Sequence, residues 1–581
     1  MELGNAVKIS MSRYAIVLCV AVATALGASA WYARSDATPS QGEKGGEACA
    51  QDTGITLPPG FCATLFADNV GHARHMAVAA DGALYLNTWS GAYYENEAPP
   101  PAGGFLLRLA DADKDAKSDS VQRFGKTMAE GAAGGVGIAL YKGELYAEEG
   151  DAILRYPLSP EGLPSGPAVP IVTGLPLSGD HPMHPFVIDK QGGLFMNSGS
   201  ATNSCEKENR KPGSPGLQPC TELETRSGIW RYDAAKTNQP FSAKERYATG
   251  IRNTGGMAFD ADGRLYGTQH GRDQLSQNWP AHFSEDDGVN LPAEEMFEVT
   301  RGADFGWPTC YYDGNRKSLM LAPEYGGDGK TVGACAAKKP PVAAFPAHWA
   351  PNDVAIYTGD QFPTAYRGGA FIAFHGSWNR APAPQAGYNI VFQPLSKRKA
   401  SGAYTIFADG FAGQYKEPGR ATFRPAGLAV GPDGALFIAD DKAGRIWRIT
   451  YHGKADAQLQ SAPPPKANAT ASAAANPLTP PPGYTADQVA LGERIYLGTD
   501  RGGTCAGCHG SDAKGTSVGP DLISGHWLWA DGSVASIAKV IREGVAKPKK
   551  FGGAMPPSGG SDLSAADIDA VSAYVWALGQ K

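Results

Sequence analysis

The sequence predicts an all-β propeller of six blades followed by a small all-α domain. Three observations support this fold class. Two strand signatures recur six times before residue 453, an Ala/Pro-rich segment follows them, and helical apolar spacing begins after that segment. With 581 residues the chain is long enough for several domains, since a domain holds about 150 residues on average.

The first signature is a short strand, a turn that usually carries Asp-Gly or Lys-Gly, and a second strand. Its copies are MAVAADGALYLNT, IALYKGELYAEE, FVIDKQGGLFMNS, MAFDADGRLYGTQ, a weaker YRGGAFIAFHG, and LAVGPDGALFIAD. Alternation of apolar and polar residues is typical of half-buried strands, and Asp-Gly between two strands indicates a hairpin. Each copy therefore predicts a β-hairpin.

The second signature is an apolar-alternating strand downstream of each hairpin. Its copies are GFLLRLAD, DAILRYPL, SGIWRYDA, EEMFEVTR, GYNIVFQP and GRIWRITY. Six copies of both signatures predict radial repetition, and hence a six-bladed β-propeller over residues 55–452. A β-sandwich is the alternative, but these strands extend over more residues than one sandwich holds.

The interval between the fourth and fifth repeats is about twice the usual length. It contains HGRDQLSQNWPAHFSEDDGVNLPAEE and RGADFGWPTCYYDG. Long insertions in propellers usually lie on one face and often carry function. The fold by itself does not identify the chemistry, because propellers host many activities.

Residues 453–482 are rich in Ala and Pro and hold almost no large apolar residues, so they are predicted to be a linker. A flexible coil of that length would span about 30 Å. Helical signals follow at residues 483–581. Thr485 with Gln488 and Ser564 with Asp567 have the spacing of helix capping boxes, each before helical apolar spacing.

The start of the chain has the pattern of a secretory signal. Lys8 and Arg13 precede an apolar run over 14–28, and Ala-Ser-Ala closes that run. We expect residues 1–30 to be cleaved and the protein to be periplasmic, with an uncleaved anchor as the alternative. No other segment is apolar and long enough to predict a membrane span, so we expect none after cleavage.

Cysteine content agrees with export. Besides Cys19 in the predicted signal and two cysteines in a motif near the C-terminus, six remain in three sequence-neighbouring pairs. An even number in an oxidising compartment predicts disulfides, although fifteen connectivities are open and proximity alone favours neighbours. The formal net charge of -6 does not suggest nucleic-acid binding, which needs a basic patch.

The motif CAGCHG at residues 505–510 predicts covalent haem. The thiols of Cys505 and Cys508 add to the haem vinyl groups, and His509 supplies an imidazole to the iron. A zinc or redox Cys pair is the alternative, but zinc needs two further ligands, and downstream only His526 is available. Met555 is the only methionine after the motif, and a Met/His pair suits electron transfer.

Residues 483–581 closely resemble class I cytochrome c. The resemblance includes Gly492, Tyr496 and the GPDL run at 519–522, besides the CAGCH motif. It implies haem c as the cofactor, with Met555 as the sixth iron ligand. A haem domain after a propeller suggests a dehydrogenase that delivers electrons to the haem.

The propeller region resembles the sorbosone dehydrogenase and soluble glucose dehydrogenase group. The motifs that carry the resemblance are DHPMHPFVIDKQGGLF, GIRNTGGMAFDADGRLY, DFGWP, HGSWNR and FRPAGLAVGPDGALF, in this order. Members of that group are six-bladed propellers that use pyrroloquinoline quinone (PQQ) with calcium. The resemblance covers roughly residues 55–452.

The resemblance implies catalytic roles for two residues. His181 takes the place of the general base that removes the substrate hydroxyl proton, with His184 as the rival. Arg252 takes the place of an arginine that stabilises negative charge on the quinone oxygen, and Asn253 that of an amide bonding the cofactor. A structural histidine and a capped turn are the respective alternatives.

The resemblance also implies cofactor contacts. Calcium would be held by the backbone carbonyls of Gly271 and Arg272, although the group commonly has Gly-Pro there. Arg424 matches an arginine that binds the PQQ carboxylates, and Arg420 is close enough in sequence to act with it. The glucose enzymes add a lysine after the fifth-blade strand; here Arg380 or His375 would substitute for it.

An acidic run offers a second candidate for calcium. Asp111, Asp113, Asp115 and Asp119 alternate along RLADADKDAKSDS, but no glycine turn or closing glutamate matches an EF-hand loop. We expect a solvated acidic hairpin.

These features predict an exported quinohaemoprotein that oxidises a sugar, sugar aldehyde or related alcohol. PQQ accepts the electrons, and the haem relays them singly to an external acceptor. A carbohydrate-binding propeller that only positions a cytochrome is the non-enzymatic alternative. A reductase with an eight-bladed propeller and a second haem is disfavoured, because such proteins place the cytochrome first.

Overall fold

We examined a computed structural model of the chain. It describes Cys49 and residues 53–88, 103–126, 135–381, 383–418, 420–465, 478–498, 500–501, 505–510, 512–515, 519–546, 548–550, 555–561 and 563–580. The predicted secretory signal at residues 1–30 lies outside the described residues. In the described part of the chain, no helix is both long and apolar enough to cross a membrane.

Six four-stranded antiparallel sheets follow one another along the chain, as the repeated signatures predicted. The strands are Ala73–Val78, Leu84–Thr88, Leu106–Ala110 and Ser120–Phe124 in the first blade; Ile138–Tyr141, Glu144–Glu149, Ala152–Pro157 and Val169–Thr173 in the second; Phe186–Ile188, Gly193–Ser198, Gly228–Asp233 and Arg246–Thr249 in the third; Met257–Phe259, Leu265–Gln269, Glu294–Val299 and Ala343–Phe345 in the fourth; Pro351–Ile356, Ala370–Phe374, Asn389–Gln393 and Thr405–Ala408 in the fifth; and Pro425–Val430, Leu436–Asp440, Ile446–Tyr451 and Phe61–Ala67 in the sixth.

The first-named strand of each blade contacts the first-named strands of both neighbouring blades. These six innermost strands therefore surround a common axis, and the all-β six-bladed propeller is confirmed. The ring is closed by the earliest strand of the chain. Phe61–Ala67 pairs antiparallel with Ile446–Tyr451, with Phe61 opposite Tyr451. It is the outer strand of the sixth blade.

Sheets in a propeller pack on both faces, so their middle strands need not alternate. The second strand is buried at every position in five of the blades: Leu84–Thr88, Gly193–Ser198, Leu265–Gln269, Ala370–Phe374 and Leu436–Asp440. The largest apolar cluster lies between the fifth and sixth blades. There Phe61, Phe371 and Phe407 pack edge to face or tilted with their neighbours, an arrangement that stabilises aromatic pairs by about 0.5–1.5 kcal/mol beyond area burial.

Short elements decorate the blades. They are the strand Gln239–Pro240, which joins the second blade in parallel; the hairpins Cys310–Asp313 with Ser318–Leu321 and Leu395–Ser396 with Lys399–Ala400; the helices Leu275–Asn278 and Glu285–Asn290; and the 3₁₀ turns Thr221–Glu224, Ala243–Glu245, Pro323–Tyr325, Gly333–Ala337 and Thr364–Tyr366. Both helices and the first hairpin lie in or just after the long interval between the fourth and fifth repeats.

The six cysteines outside the predicted signal and the haem motif pair with their sequence neighbours. The disulfides are Cys49–Cys62, Cys205–Cys220 and Cys310–Cys335. The first ties the segment before the ring-closing strand to that strand. The pairing that proximity favoured is therefore the one that the structure shows.

The described start of the predicted linker lies against the propeller. Ala462 donates its N–H to the carbonyl of Ile406 at 2.7 Å, and the N–H of Thr364 donates to the carbonyl of Ala455 at 3.0 Å. Leu459 packs on the apolar cluster between the fifth and sixth blades. A free coil was expected over 453–482, but backbone hydrogen bonds hold residues 455–462 despite their poor apolar content. The residues at 466–477 lie outside the described part.

The C-terminal region is all-α, as predicted. Its helices are Ala486–Tyr496, Cys505–His509, Val534–Glu543 and Ala565–Leu578, with a 3₁₀ turn at Pro557–Gly560. Both predicted capping boxes form, at Thr485 with Gln488 and at Ser564 with Asp567. The first and last of these helices cross closely at Gly492, where a Cβ atom would lie 2.0 Å from the carbonyl oxygen of Ala570.

Candidate active site

A cavity of about 360 Å³ lies between the propeller and the C-terminal helices, and both regions contribute to its wall. Most of its propeller residues lie on loops that enter an innermost strand or follow the second strand of a blade. Because these strands are antiparallel, both kinds of loop meet at one face of the ring. Six predicted propeller residues line the cavity with all four predicted haem residues: His181, Arg252, Asn253, Gly271, His375, Arg424, Cys505, Cys508, His509 and Met555.

His181 is buried, and its hydrogen bonds define which ring nitrogen can act as a base. Nδ1 lies 3.0 Å from the backbone carbonyl of Ser200. A carbonyl only accepts, so Nδ1 carries the proton and Nε2 is the basic nitrogen. Burial, followed by the positive charge of Arg252, holds the pKa of His181 well below its ordinary value. His181 is therefore neutral at neutral pH, as a general base must be.

His184, the rival candidate, does not line the cavity. It is fully buried, and Glu148 accepts hydrogen bonds at Oε1 from both its backbone N–H and its Nδ1. Glu148 lies on the second blade, so His184 joins two neighbouring blades. This placement suits a structural role, and it favours His181 as the base.

Arg252 is held by a dense set of acceptors at the cavity wall. Its guanidinium donates to the carbonyls of Asn203 and Gly271 and to the carboxylate of Asp273. The neighbouring Asn253 accepts at Oδ1 from Asn197 Nδ2 at 3.2 Å. A buried side chain with this many partners is fixed in one orientation, which is what a preorganised donor to developing negative charge requires.

Asp273 lies at the centre of a charge cluster that the sequence did not reveal. Its carboxylate accepts from Arg252 Nη2 and Arg210 Nη2, both at 3.1 Å, and from Asn379 Nδ2 at 2.7 Å. Burial alone would raise the pKa of Asp273, but the charges of Arg252 and Arg210 outweigh it and hold that pKa below its ordinary value. Asp273 is ionised and contacts two guanidinium groups.

Arg424 lines the cavity beside the fifth blade. It donates from Nη2 to the carbonyl of Gly376 at 2.7 Å and from Nε to the carbonyl of His375 at 3.2 Å. Its guanidinium also lies over the ring of Tyr388. None of these partners is a carboxylate, so its charge is available to an anion in the cavity.

Arg420 and Arg380 do not reach the cavity. Arg420 stacks on the ring of Tyr415 and pairs with Glu417. Arg380 donates to the backbone carbonyls of Val289, Ala347 and Pro384. These contacts give both side chains a structural explanation. The cation that accompanies Arg424 is instead Arg74, at the start of the first blade, which pairs with Asp441 and lines the cavity.

His375 lines the cavity, but as a neutral side chain. Its Nε2 lies 2.8 Å from Oδ1 of Asp441, and burial together with the charge of Arg424 lowers its pKa to about 3. His270 and His348 are two further cavity histidines, and burial lowers the pKa of each. In each, Nε2 contacts a backbone carbonyl, of Pro351 and Gly288 respectively. The cavity wall thus has neutral histidines beside charged arginines.

The two residues whose backbone carbonyls are predicted to bind calcium, Gly271 and Arg272, have different surroundings. The Gly271 carbonyl accepts a hydrogen bond from Arg252 Nη1 at 2.8 Å, so calcium there would share this oxygen with a guanidinium. Arg272 points away from the cavity and forms a buried ion pair with Glu324 at 2.5 Å. Calcium takes six to eight oxygen ligands. The Gly271 carbonyl is therefore a poorly suited ligand, whereas the ion pair of the Arg272 side chain does not involve its backbone carbonyl.

The acidic run on the first blade forms a hairpin turn, as expected. Asp119 accepts from the N–H groups of Ala112 and Asp113, and Asp111 accepts from that of Ala116. In the described residues, Asp111, Asp113 and Asp115 are the group of carboxylates close enough to share a cation. Two of these three side chains are exposed, and they lie outside the cavity.

His509 has the geometry of a proximal haem ligand. Its Nδ1 lies 2.9 Å from the carbonyl of Pro520, which leaves Nε2 for the iron. The cavity around it is lined by apolar side chains, among them Leu522, Ile541 and Val575. An apolar crevice with an oriented imidazole and two adjacent cysteines outside the disulfides fits haem c.

Met555 lines the same cavity, and its backbone is fixed by two hydrogen bonds to Val545, of 2.7 and 3.0 Å. His526, the other candidate for the sixth ligand, is exposed and does not line the cavity. The placement of these two residues favours Met555.

The fit of PQQ can be judged from the charges at the wall. Arg74, Arg210, Arg252 and Arg424 all line the cavity. PQQ is a planar tricarboxylate, and guanidinium groups are the side chains best suited to bind carboxylates. The cavity is also lined by Asp180, Asp273 and Glu294. Arg74, Arg210 and Arg252 are paired with carboxylates. Arg424, whose side chain contacts carbonyls and an aromatic ring, is therefore the cation that best fits a PQQ carboxylate.

Two family models match the chain. The model described as TrAA12-like matches residues 55–452, and the model described as cytochrome C oxidase, cbb3-type, subunit III matches residues 487–575. The first match covers the propeller, and the second covers most of the helical region.

Curated relatives match in parts. A pyrroloquinoline quinone-dependent pyranose dehydrogenase of Coprinopsis cinerea is 27% identical over 232 residues, which are 34% of this chain and 30% of the relative. The cbb3-type cytochrome c oxidase subunit CcoP of Rhodobacter capsulatus is 39% identical over 107 residues, 17% of this chain and 32% of the relative. The chain spans half or less of the length of the curated relatives that it matches.

Solved structures share the propeller fold. The PQQ domain of the Coprinopsis cinerea pyranose dehydrogenase, in its holo form, superposes with a TM-score of 0.53 at 19% identity. A calcium structure of the carbohydrate-active enzyme of family AA12 from Trichoderma reesei has a TM-score of 0.53 at 20% identity. Each match covers 68% of this chain and 97% of the other. At such identities the likeness shows the fold alone.

Proposed function

The chain belongs to the TrAA12-like family over residues 55–452, and from this premise we propose that it is a quinohaemoprotein sugar dehydrogenase. The propeller oxidises a sugar, sugar aldehyde or related alcohol with PQQ, and the C-terminal cytochrome c domain carries the electrons onward. The observation that carries the proposal is the shared cavity. His181, Arg252 and Arg424 line the same space as His509 and Met555.

Oxidation of an alcohol to a carbonyl removes one hydride and one proton. When bound, PQQ would supply the acceptor for the hydride that leaves the substrate carbon. Nε2 of His181 takes the hydroxyl proton, because its Nδ1 is already protonated and bonded to Ser200. Each turnover thus yields two electrons and two protons, and haem c passes on one electron at a time.

Four guanidinium groups would hold the quinone cofactor. Arg74, Arg210 and Arg424 supply positive charge for its carboxylates, and Arg252 stabilises charge that develops on a quinone oxygen. Asn253 lies next to Arg252 and can hydrogen-bond the cofactor.

The proposed substrate class is a pyranose or a related aldose. The support is the pyranose dehydrogenase activity of the Coprinopsis cinerea relative, together with a cavity that presents neutral histidines to a hydroxyl-rich ligand. A sorbosone-type substrate belongs to the same class. A non-enzymatic carbohydrate-binding propeller is disfavoured, because such a protein has no use for a basic histidine beside four arginines.

Export to the periplasm and an external one-electron acceptor complete the proposal. Support for export comes from the secretory pattern at residues 1–30 and from the three disulfides. Calcium belongs to the proposal only because the resemblance to the PQQ dehydrogenases implies it. Loading the apoprotein with PQQ in EGTA and in calcium, and comparing the affinities, tests whether the ion contributes.

The proposal is tested by loading purified haem-containing protein with PQQ and screening pyranoses and aldoses. The expected result is a sugar-dependent increase in reduced haem c absorbance, absent without PQQ. PQQ binding is measured separately by the rise in melting temperature. If PQQ binds and sugars shift the melting temperature without reducing the haem, the carbohydrate-binding alternative is favoured. If PQQ does not bind, the proposal is wrong.

A further inference from the structure

The propeller and the cytochrome domain touch at a residue that neither chemistry requires. Trp378 follows the second strand of the fifth blade, lines the shared cavity and is half-buried. Its ring lies against Gly507, which stands between the two haem-attachment cysteines. A Cβ atom on Gly507 would lie 2.4 Å from Cβ, 2.7 Å from Cγ and 3.0 Å from Cδ1 of Trp378. These are the three nearest atoms that such a Cβ would meet.

Backbone conformation does not explain the glycine. Gly507 lies inside the helix Cys505–His509 and is absent from the residues with positive φ. Glycine inside a helix is less favourable than alanine by about 1 kcal/mol. The close approach of Trp378 leaves no room for a side chain at position 507, so packing against the propeller explains why glycine stands there.

Trp378 is held in place by the active-site residues. On its N-terminal side, Ser377 donates from Oγ to the carbonyl of His348 at 2.8 Å. On its C-terminal side, Asn379 donates from Nδ2 to Asp273 at 2.7 Å. Asp273 is the carboxylate that pairs with Arg252. The position of the Trp378 ring is therefore tied to the charge cluster of the cavity.

A second contact lies nearby but is weaker evidence. A Cβ atom on Gly560 would lie 2.2 Å from Nε2 of Gln274. That atom is the end of a flexible side chain, and Gly560 has a φ of 81°, which already favours glycine. Gln274 is next to Asp273 and accepts from Arg210 Nη1 at 3.4 Å. Trp378 in turn is adjacent to Asn379, which donates to Asp273, so both contacts start beside the charge cluster.

We propose that Trp378 and Gly507 form the docking contact that holds the cytochrome domain over the propeller cavity. Trp378 is a positioning residue. Its ring packs against the helical turn that carries the haem-attachment cysteines, and the absence of a side chain at Gly507 allows this close packing. The inference rests on the proposed function, since a docked haem is useful only if the cavity produces electrons. Without docking, the cytochrome reaches the cavity only as a tethered partner.

The test uses the full-length holoprotein in four forms: wild type, Gly507→Val, Trp378→Ala and the double variant. Gly507→Val should keep covalent haem and Met–iron ligation, as judged by the spectrum, but increase the radius of gyration in small-angle X-ray scattering. Haem reduction by sugar should slow by about 10-fold or more, because contact then depends on the tether. In Gly507→Val, sugar oxidation measured with a small dye that accepts electrons directly from the reduced quinone should be unchanged.

The double variant decides between docking and damage to the haem motif. Trp378→Ala makes room for the valine, so the double variant should regain compactness and part of the haem reduction rate. If it is as extended and as slow as Gly507→Val alone, or if Gly507→Val is as compact and fast as wild type, the docking contact is wrong. If no sugar reduces haem in any form while scattering separates the variants, the proposed function fails and the docking contact stands.

Discussion

The guanidinium of Arg252 and the carboxylate of Asp273 form a buried ion pair, with Nη2 3.1 Å from Oδ2. Arg210 approaches the same carboxylate oxygen from the third-blade loop, also at 3.1 Å. Asp273 therefore contacts two guanidinium groups, of which Arg210 also pairs with Asp180 at 2.9 Å, at the wall of a cavity that is proposed to receive a tricarboxylate. The stability of the PQQ-free protein should therefore depend on the Asp273 carboxylate more than the stability of the PQQ-loaded protein does.

Asp273→Asn should destabilise the PQQ-free protein. Removing one partner of a buried ion pair typically costs about 3–5 kcal/mol, because the remaining charge is left uncompensated. PQQ carboxylates bring negative charge back to the cavity, so saturating PQQ should restore part of the loss. Melting temperatures with and without PQQ measure both effects. Asp113→Asn, on an exposed turn of the first blade, is the control, and an equal loss in both states of Asp273→Asn would contradict the prediction.

His181→Ala should leave PQQ affinity nearly intact, because a general base contacts the substrate. Turnover at saturating PQQ should fall by about 10²–10⁴, the usual contribution of a positioned base. Since burial and Arg252 hold the pKa of His181 well below its ordinary value, wild-type turnover should show no loss at the pH where a free histidine becomes protonated. Near-normal turnover in His181→Ala would make the assignment wrong, and His184 would be the next residue to test.

Arg424→Ala should weaken PQQ binding by about 10–100-fold, the range expected for a lost hydrogen bond to a charged group of about 1.5–3 kcal/mol. Activity should recover partly at high PQQ. Arg420→Ala is the matched control, four residues earlier in the same loop. Its guanidinium is engaged with Tyr415 and Glu417, outside the cavity. Equal losses of affinity in the two variants would show that loop integrity, and not the cavity cation, is measured.

Met555→Ala should keep haem attached but lower its reduction potential and open the sixth iron site to added ligands. A change on the order of 0.1 V is expected, within the roughly 0.8 V over which axial ligands tune haem. Spectroelectrochemistry and carbon monoxide binding are the measurements. His526→Ala serves as the control, since that histidine is exposed and outside the cavity. An unchanged potential in Met555→Ala would assign the sixth ligand elsewhere.

Stability should decrease as the pH rises from about 6.5 to 8. Burial raises the pKa of Glu295 to about 8, so the folded chain retains a proton that the unfolded chain has already lost. Rising pH therefore favours the unfolded state, by up to about 1.4 kcal/mol per pH unit for one proton. The buried histidines have lowered pKa values, and their effect of the opposite sign is confined to pH values below about 6.5.

Glu295→Gln should make this pH dependence shallower, because the amide does not titrate. A smaller slope should remain from Glu294 and Asp440, whose pKa values burial raises to about 7. Unfolding midpoints at several pH values give the slope. Glu208→Gln changes an exposed carboxylate paired with Lys211 and should leave the slope unchanged. A slope identical to wild type in Glu295→Gln would contradict the prediction.

Local patterns predicted much of the fold. Hairpin turns and alternating strands identified all six blades, because the strands of five blades are neighbours in sequence and only the outer strand of the sixth blade, Phe61–Ala67, comes from a distant segment. The capping boxes at Thr485 and Ser564 and the attachment motif at Cys505–His509 are likewise complete within a few residues. The disulfide pairs followed from proximity for the same reason.

Contacts between distant segments could not be predicted from the sequence. Arg210, Asp273 and Asn379 come from three loops without periodicity, on the third, fourth and fifth blades, and the packing of neighbouring blades brings them together. Sequence spacing also did not separate Arg424, which lines the cavity, from Arg420, which stacks on Tyr415. In a loop, side-chain direction depends on local turns and packing partners that four residues of spacing do not specify.

Ring closure by Phe61–Ala67 has a consequence for the order in which the protein is made. The partner strand Ile446–Tyr451 lies nearly four hundred residues later, so the sixth blade stays incomplete, and Phe61–Ala67 unpaired, until that strand has been synthesised. Open strand edges at that stage invite association between nascent chains. The Cys49–Cys62 disulfide anchors the waiting segment to its own strand from the outset. Biogenesis of this propeller is therefore governed by its final strand.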